Sequence, residues 1–129
     1  MPAQTPDRVH PLFEEAFNAG DLDAMLEPFA PDAVFVAQPG QVLTGPDQIR
    51  EGLNGFLATG GKMRITPIDS VVGPDTALVY QRWVLEGNGP DGQPLNMGGL
   101  ISDVVRRGDD GNWRFVIDNA FAGAMIGEG

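Results

Sequence analysis

The sequence contains no cysteine, one histidine (His10) and one tyrosine (Tyr80). Without thiols there is no disulfide, no thiolate nucleophile and no thiolate metal site, and a lone imidazole cannot build a multi-histidine metal centre. The composition therefore implies neither a metal nor a cofactor. Basic residues are also scarce: 8 Lys and Arg stand against 18 Asp and Glu, for a net charge of -10. Such a surface repels phosphate backbones and anionic lipid headgroups, which disfavours nucleic-acid and polybasic membrane functions. No stretch of about 18 apolar residues occurs, and the first residues carry acids and prolines where a leader would carry bases and an apolar run. A soluble, cytoplasmic protein is expected. With 129 residues, 42% of them hydrophobic, the chain suffices for one cored domain over 1–129 and leaves no room for a second.

What the chain has in abundance is punctuation, with 18 Gly and 11 Pro set between periodic segments. Val9, Leu12, Phe13, Ala16 and Phe17 recur at helical spacing and predict an amphipathic helix over 7–18. Asp21 stands before Leu22 to Phe29 as the start of a short second helix over 21–29. Strand formers from Ala33 to Ala37 and the turn pair Pro39-Gly40 predict a hairpin or bent strand over 33–44. Ile49, Leu53, Phe56 and Leu57 mark a third helix over 45–58, stopped by Gly60-Gly61. The remainder alternates as four strands, 62–72, 76–87, 95–107 and 113–121, joined by short turns that favour antiparallel neighbours. Three helices on one face of a curved, mostly antiparallel sheet, an α+β arrangement, is the fold these patterns predict.

Individual residues carry further expectations. His10, beside Pro11 and without a second histidine, reads as a surface or helix-end residue. Trp113, Phe115 and Ile117 alternate on one strand face, which predicts a homodimer formed through the outer face of the sheet. The run Gly87 to Gly92 lacks the Lys-Ser/Thr and following helix of a phosphate loop and reads as a turn. Asp109-Asp110 belongs to a solvated hairpin tip, since calcium needs six or more oxygen ligands.

Four short segments then point to a family. Asn18-Ala19-Gly20-Asp21-Leu22-Asp23, Asp32-Ala33-Val34, Gly45-Pro46-Asp47-Gln48-Ile49, and Asp103 with Gly111-Asn112-Trp113-Arg114 occur in this order across nearly the whole chain. In them the chain resembles the nuclear transport factor 2-like superfamily, in its SnoaL-like and ketosteroid isomerase-like bacterial branch, within a small subgroup of mostly unassigned function. The resemblance implies a cystatin-like cone whose helices and sheet enclose an apolar pocket, usually in a homodimer.

Isomerases of that branch pair a carboxylate base with a tyrosine and a neutral acid as oxyanion donors. Here the tyrosine position falls on Phe13 and the base position on Ala37 or Gln38, so ketosteroid isomerisation by that mechanism is not expected. Only the acidic donor has a match, Asp103. The resemblance turns Ile101, Asp103 and Val105 inward, together with Arg114, Val116 and Asp118 on the last strand and Tyr80, Arg82 and Val84 on the second long strand. On that second strand hydropathy disagrees, because Ala77, Val79, Trp83 and Leu85 make the odd face the more apolar one. Asp103 and Asp118 are the candidate acid or base groups, with Phe13, Phe17, Tyr80, Arg82, Ile101 and Val116 as candidate ligand contacts. Two functions are compatible with this set. One is a domain that binds an apolar small molecule; the other is an enzyme of the cyclase, isomerase or lyase kind using Asp103 or Asp118.

Overall fold

The structure, a computed structural model, describes residues 2–127. A short 3-10 turn (Pro6–Arg8) leads into α1 (Val9–Asn18), whose buried stripe is Val9, His10, Phe13, Ala16 and Phe17. The amide of Asn18 closes the far end of α1 against the sheet, donating to the Met63 carbonyl at 2.8 Å and accepting from its N–H at 2.7 Å. Next comes α2 (Leu22–Leu26), capped by the Asp21 carboxylate, which accepts from the Ala24 N–H at 3.1 Å. It is shorter than the apolar pattern to Phe29 predicts. The Pro28 carbonyl instead accepts from the Phe115 N–H, and Phe29 opens a strand paired with Phe115, so tertiary pairing overrides helical spacing.

That strand, β1 (Phe29–Gln38), turns at Pro39-Gly40 into β2 (Gln41–Thr44), the turn requiring the positive φ of 83° that Gly40 adopts. Then follow α3 (Gly45–Leu57), β3 (Lys62–Val72), β4 (Thr76–Glu86), β5 (Met97–Arg107), β6 (Trp113–Asn119) and α4 (Ala122–Met125). The final strand stops at Asn119, and α4 occupies residues beyond the expected strand. One six-stranded sheet results, in the order β2-β1-β6-β5-β4-β3. Every neighbouring pair is antiparallel except β1 with β6.

The helices cover one face of this sheet, and two strands decide what that face presents. On β4 the buried residues are Ala77, Val79, Gln81, Trp83 and Leu85. Tyr80 and Val84 are therefore on the outer face and Arg82 is exposed, which corrects the inward placement that the resemblance implied. The more apolar face won, because a one-residue slip would have sent Trp83 and Leu85 to water.

On β6, Phe115 pairs with Val105 and Ile117 with Val104, so two steps of β6 face one step of β5. Val116 is the extra residue of a β-bulge, and the bulge inverts the alternation. Both Phe115 and Asp118 consequently point inward, while Ile117 is 42% exposed. The inward placement of Arg114 and Val116 is thereby corrected: both are half-buried, and Arg114 pairs with Asp110 at the hairpin tip at 2.5 Å. Trp113 and Phe115 belong to the core, so the outer-face apolar triple keeps only Ile117.

Candidate functional site

Between α1, α3 and the inner face of the sheet lies a cavity of about 40 Å³. Its wall is mostly apolar, formed by Phe13, Phe35, Leu53, Phe56, Ile101 and Phe115 among others. Phenyl rings meet edge to face around it, for example Phe13 with Phe115 at 6.1 Å and Phe56 with Trp83 at 6.2 Å. The indole N–H of Trp83 is spent on the Ala120 carbonyl at 2.7 Å. The remaining polar side chains in the wall are three titratable groups: His10, Asp103 and Asp118.

Each arrives from a different element. His10 is the second residue of α1, on the same stripe as Phe13 and Phe17, and its ring packs edge-on to Phe115 at 5.0 Å. Asp103 follows Ile101 on the inward face of β5 and is 1% exposed. Asp118 is carried inward by the bulge in β6. Asp103 is the hub of the cluster. Its Oδ2 lies 2.6 Å from His10 Nε2, its Oδ1 accepts from the Asn119 N–H at 2.6 Å, and it is hydrogen-bonded to the Asp118 carboxyl. His10 Nδ1 is buried without a hydrogen-bond partner. Gln81, next along the inner face from Trp83, also buries an unpartnered Oε1, but outside the cavity wall.

Burial governs the charge state. Desolvation lowers His10 to about 4 against an opposing pull from Asp118, so the imidazole is neutral at pH 7. For Asp103, desolvation raises the carboxyl to about 7, and the bonds from Asn119 and Asp118 restrain it. Asp118 is pushed well above the ordinary carboxylate range, first by burial and then by the charge of Asp103, with His10 opposing. Near neutrality the cluster thus holds a neutral imidazole, an Asp118 whose neutral form burial favours, and an Asp103 carboxyl midway between acid and carboxylate. Donation of His10 Nε2–H to Asp103 leaves the lone pair on Nδ1.

Of the candidate contacts, Asp103, Asp118, Phe13 and Ile101 stand in the cavity wall. Phe17 is buried in the core but does not line the cavity, and Tyr80, Arg82 and Val116 lie outside it. His10, expected at the surface, is 2% exposed and is the partner of Asp103. The signal was available: 10, 13 and 17 share one helical stripe. Among the described residues no group of three His, Asp or Glu side chains is arranged to hold a metal ion, and no helix is long and apolar enough to cross a membrane.

The family model for the SnoaL-like domain matches residues 9–116, a span that runs from the helix bearing His10 to the bulge in β6. The chain belongs to the SnoaL-like family. Solved structures agree on the nuclear transport factor 2-like, cystatin-like fold. A protein from Thiobacillus denitrificans, provisionally named a calcium/calmodulin-dependent protein kinase type II association domain, superposes with a TM-score of 0.78 at 22% identity, over 94% of this chain and 97% of that one. A nuclear transport factor 2-like protein of unknown function from Shewanella oneidensis gives 0.71 at 22% identity, over 87% and 92%. One from Streptomyces avermitilis, provisionally named a dehydratase, gives 0.71 at 20% identity, over 88% and 90%. No curated protein matches the sequence.

Proposed function

We propose that this SnoaL-like domain is an acid–base enzyme of the isomerase or dehydratase kind, acting on a small, mostly apolar substrate that carries a carbonyl or hydroxyl group. The observation that carries this reading is the concentration of His10, Asp103 and Asp118 in one apolar cavity, bonded through Asp103. Pairs of titratable groups whose environments push their protonation apart are the usual marker of acid and base assignments. In this reading His10 Nδ1 removes the proton next to a substrate carbonyl, and the Asp103 carboxylate at Nε2 stabilises the imidazolium that forms. Asp118, still protonated, turns its one O–H from Asp103 to the substrate, where it hydrogen-bonds the developing oxyanion or gives its proton to a departing hydroxyl, which leaves as water. The Streptomyces dehydratase name is consistent with this chemistry on a shared fold.

Cavity size restricts the substrate. About 40 Å³ accommodates about three waters, well below the ~150 Å³ that encloses a benzene ring, so at most the reacting edge of a single ring enters, not a fused polycycle. The experiment is to supply 3-hydroxycyclohexanone and cyclohex-3-enone and follow the conjugated enone by its ultraviolet absorbance. Protein-dependent formation of cyclohex-2-enone from either is the expected result. Binding without turnover, and without exchange of the α-protons in D2O, would reduce the protein to a binding domain; no binding would remove the reading.

A homodimer through the outer sheet face remains part of the proposal, now resting on half-buried Leu78, Tyr80 and Val104 and on exposed Ile117. Sedimentation equilibrium at high micromolar concentration is expected to return twice the chain mass, and a monomer there would remove the dimer.

A further inference from the structure

Beside the buried cavity lies a second, wider depression of about 650 Å³, and Phe56 stands in the wall of both. Its lining differs in character from the inner chamber, with the amides of Gln38, Gln41 and Gln48, the carboxylate of Glu51, and two glycines of α3, Gly52 and Gly55. The glycines are informative because glycine in a helix interior weakens it and needs a reason. Gly52 has one in packing: a Cβ there would lie 2.7 Å from Leu43 Cδ1 and 3.0 Å from Phe35 Cε2. Gly55 has none. Its φ is not positive, and a Cβ would meet nothing within 4 Å, so neither backbone strain nor crowding accounts for it. What a side chain at 55 would occupy is the groove itself.

From this we infer that the groove is a second subsite, and that the substrate is elongated: a small oxygenated head in the inner chamber, passing Phe56, with an uncharged hydrogen-bonding tail of the amide kind along α3. The inference rests on the acid–base reading of the inner chamber and names its substrate class. Primary amides on the groove wall offer both donors and acceptors to such a tail. An anionic tail is disfavoured by Glu51 in the wall and by the net charge of -10. Gly55 is then a specificity-determining residue, since its missing side chain holds the subsite open.

The test compares three probes by calorimetry: cyclohexanone as the bare head, N-(2-methoxyethyl)-3-(4-oxocyclohexyl)propanamide as head with neutral tail, and 3-(4-oxocyclohexyl)propanoate as head with anionic tail. With the unmodified chain the amide is expected to bind at least tenfold more tightly than cyclohexanone, and the carboxylate no more tightly. Gly55→Trp is expected to abolish the tenfold gain while cyclohexanone affinity stays within twofold. Gly55→Ala, which leaves room, should keep most of the gain and melt no lower. An amide tail without gain, or a gain that survives Gly55→Trp, overturns the subsite while leaving the inner chamber intact. Failure of cyclohexanone and both tailed probes to bind overturns the acid–base reading, and the subsite with it.

Discussion

Asp103→Asn is expected to lower kcat/KM for enone formation by about 10³–10⁴-fold, the scale seen when a histidine loses the carboxylate that orients it, with the melting temperature unchanged or raised. The substitution keeps an oxygen for the Asn119 N–H, so the backbone bond at 2.6 Å has a replacement acceptor. It removes the charge opposite His10, and with it the stabilisation of an imidazolium. The new amide presents N–H to Nε2, which favours the tautomer with its proton on Nδ1 and consumes the proposed base. Stability moves the other way. The Asp103 side chain is 1% exposed, and burial disfavours its charged form. Kinetics and thermal melts on the same preparation separate the two effects; a melting temperature lowered by many degrees would instead make Asp103 a structural anchor.

The second large effect is on folding and depends on pH. His10→Leu is expected to cost about 3–5 kcal/mol at pH 8, the usual penalty for stranding one member of a buried pair, and much less at pH 5. At pH 8 the Asp103 carboxylate loses a donor and remains charged in an apolar wall; at pH 5, below its pKa of about 7, it takes a proton and tolerates the loss. The unmodified protein has its own pH dependence, with contributions of opposite sign. Asp103, raised from 3.8 to about 7, holds a proton in the native state that the unfolded chain has released, so stability declines as pH rises through that window. Asp118 acts in the same direction. His10, lowered from 6.5 to about 4, acts oppositely: its contribution is present above 6.5 and lost as pH falls through 4, offsetting one of the two carboxyls. Net stability is therefore expected to fall from pH 5 to pH 8, as urea unfolding at several pH values would measure.

Periodicity located the elements that local sequence controls. α3, β3 and β4 fall within a residue or two of their predicted ranges because their apolar spacing, Gly stops and short turns agree with one another. The face of β4 was legible from hydropathy alone, and the family resemblance misdirected it by moving a polar pair, Tyr80 and Arg82, to the inside. The inward turn of Asp103 came from the family resemblance, and strand period then carried Ile101 and Val105 to the same face. His10 was hidden by its chemistry: a polar residue at a helix start looks solvated, although its spacing to Phe13 and Phe17 places it on the buried stripe. Asp118 reached the cavity for a reason no alternation reveals. An unbulged β6 can bury either Phe115 or Asp118, and only the extra residue at Val116 allows both. The truncation of α2 belongs to the same class, set by pairing between Phe29 and Phe115 that lie far apart in sequence.

The most direct test of the central claim, that the cavity keeps a neutral acid and a neutral imidazole together at pH 7, is a nuclear magnetic resonance titration of the side-chain carboxyl carbons of Asp103 and Asp118 and the ring nitrogens of His10. The expected result is an Asp118 carboxyl that titrates well above the ordinary carboxylate range, an Asp103 carboxyl that titrates near 7, and a neutral His10 ring with its proton on Nε2. Both carboxyls titrating near 4, with a charged imidazole between them at pH 7, would contradict it.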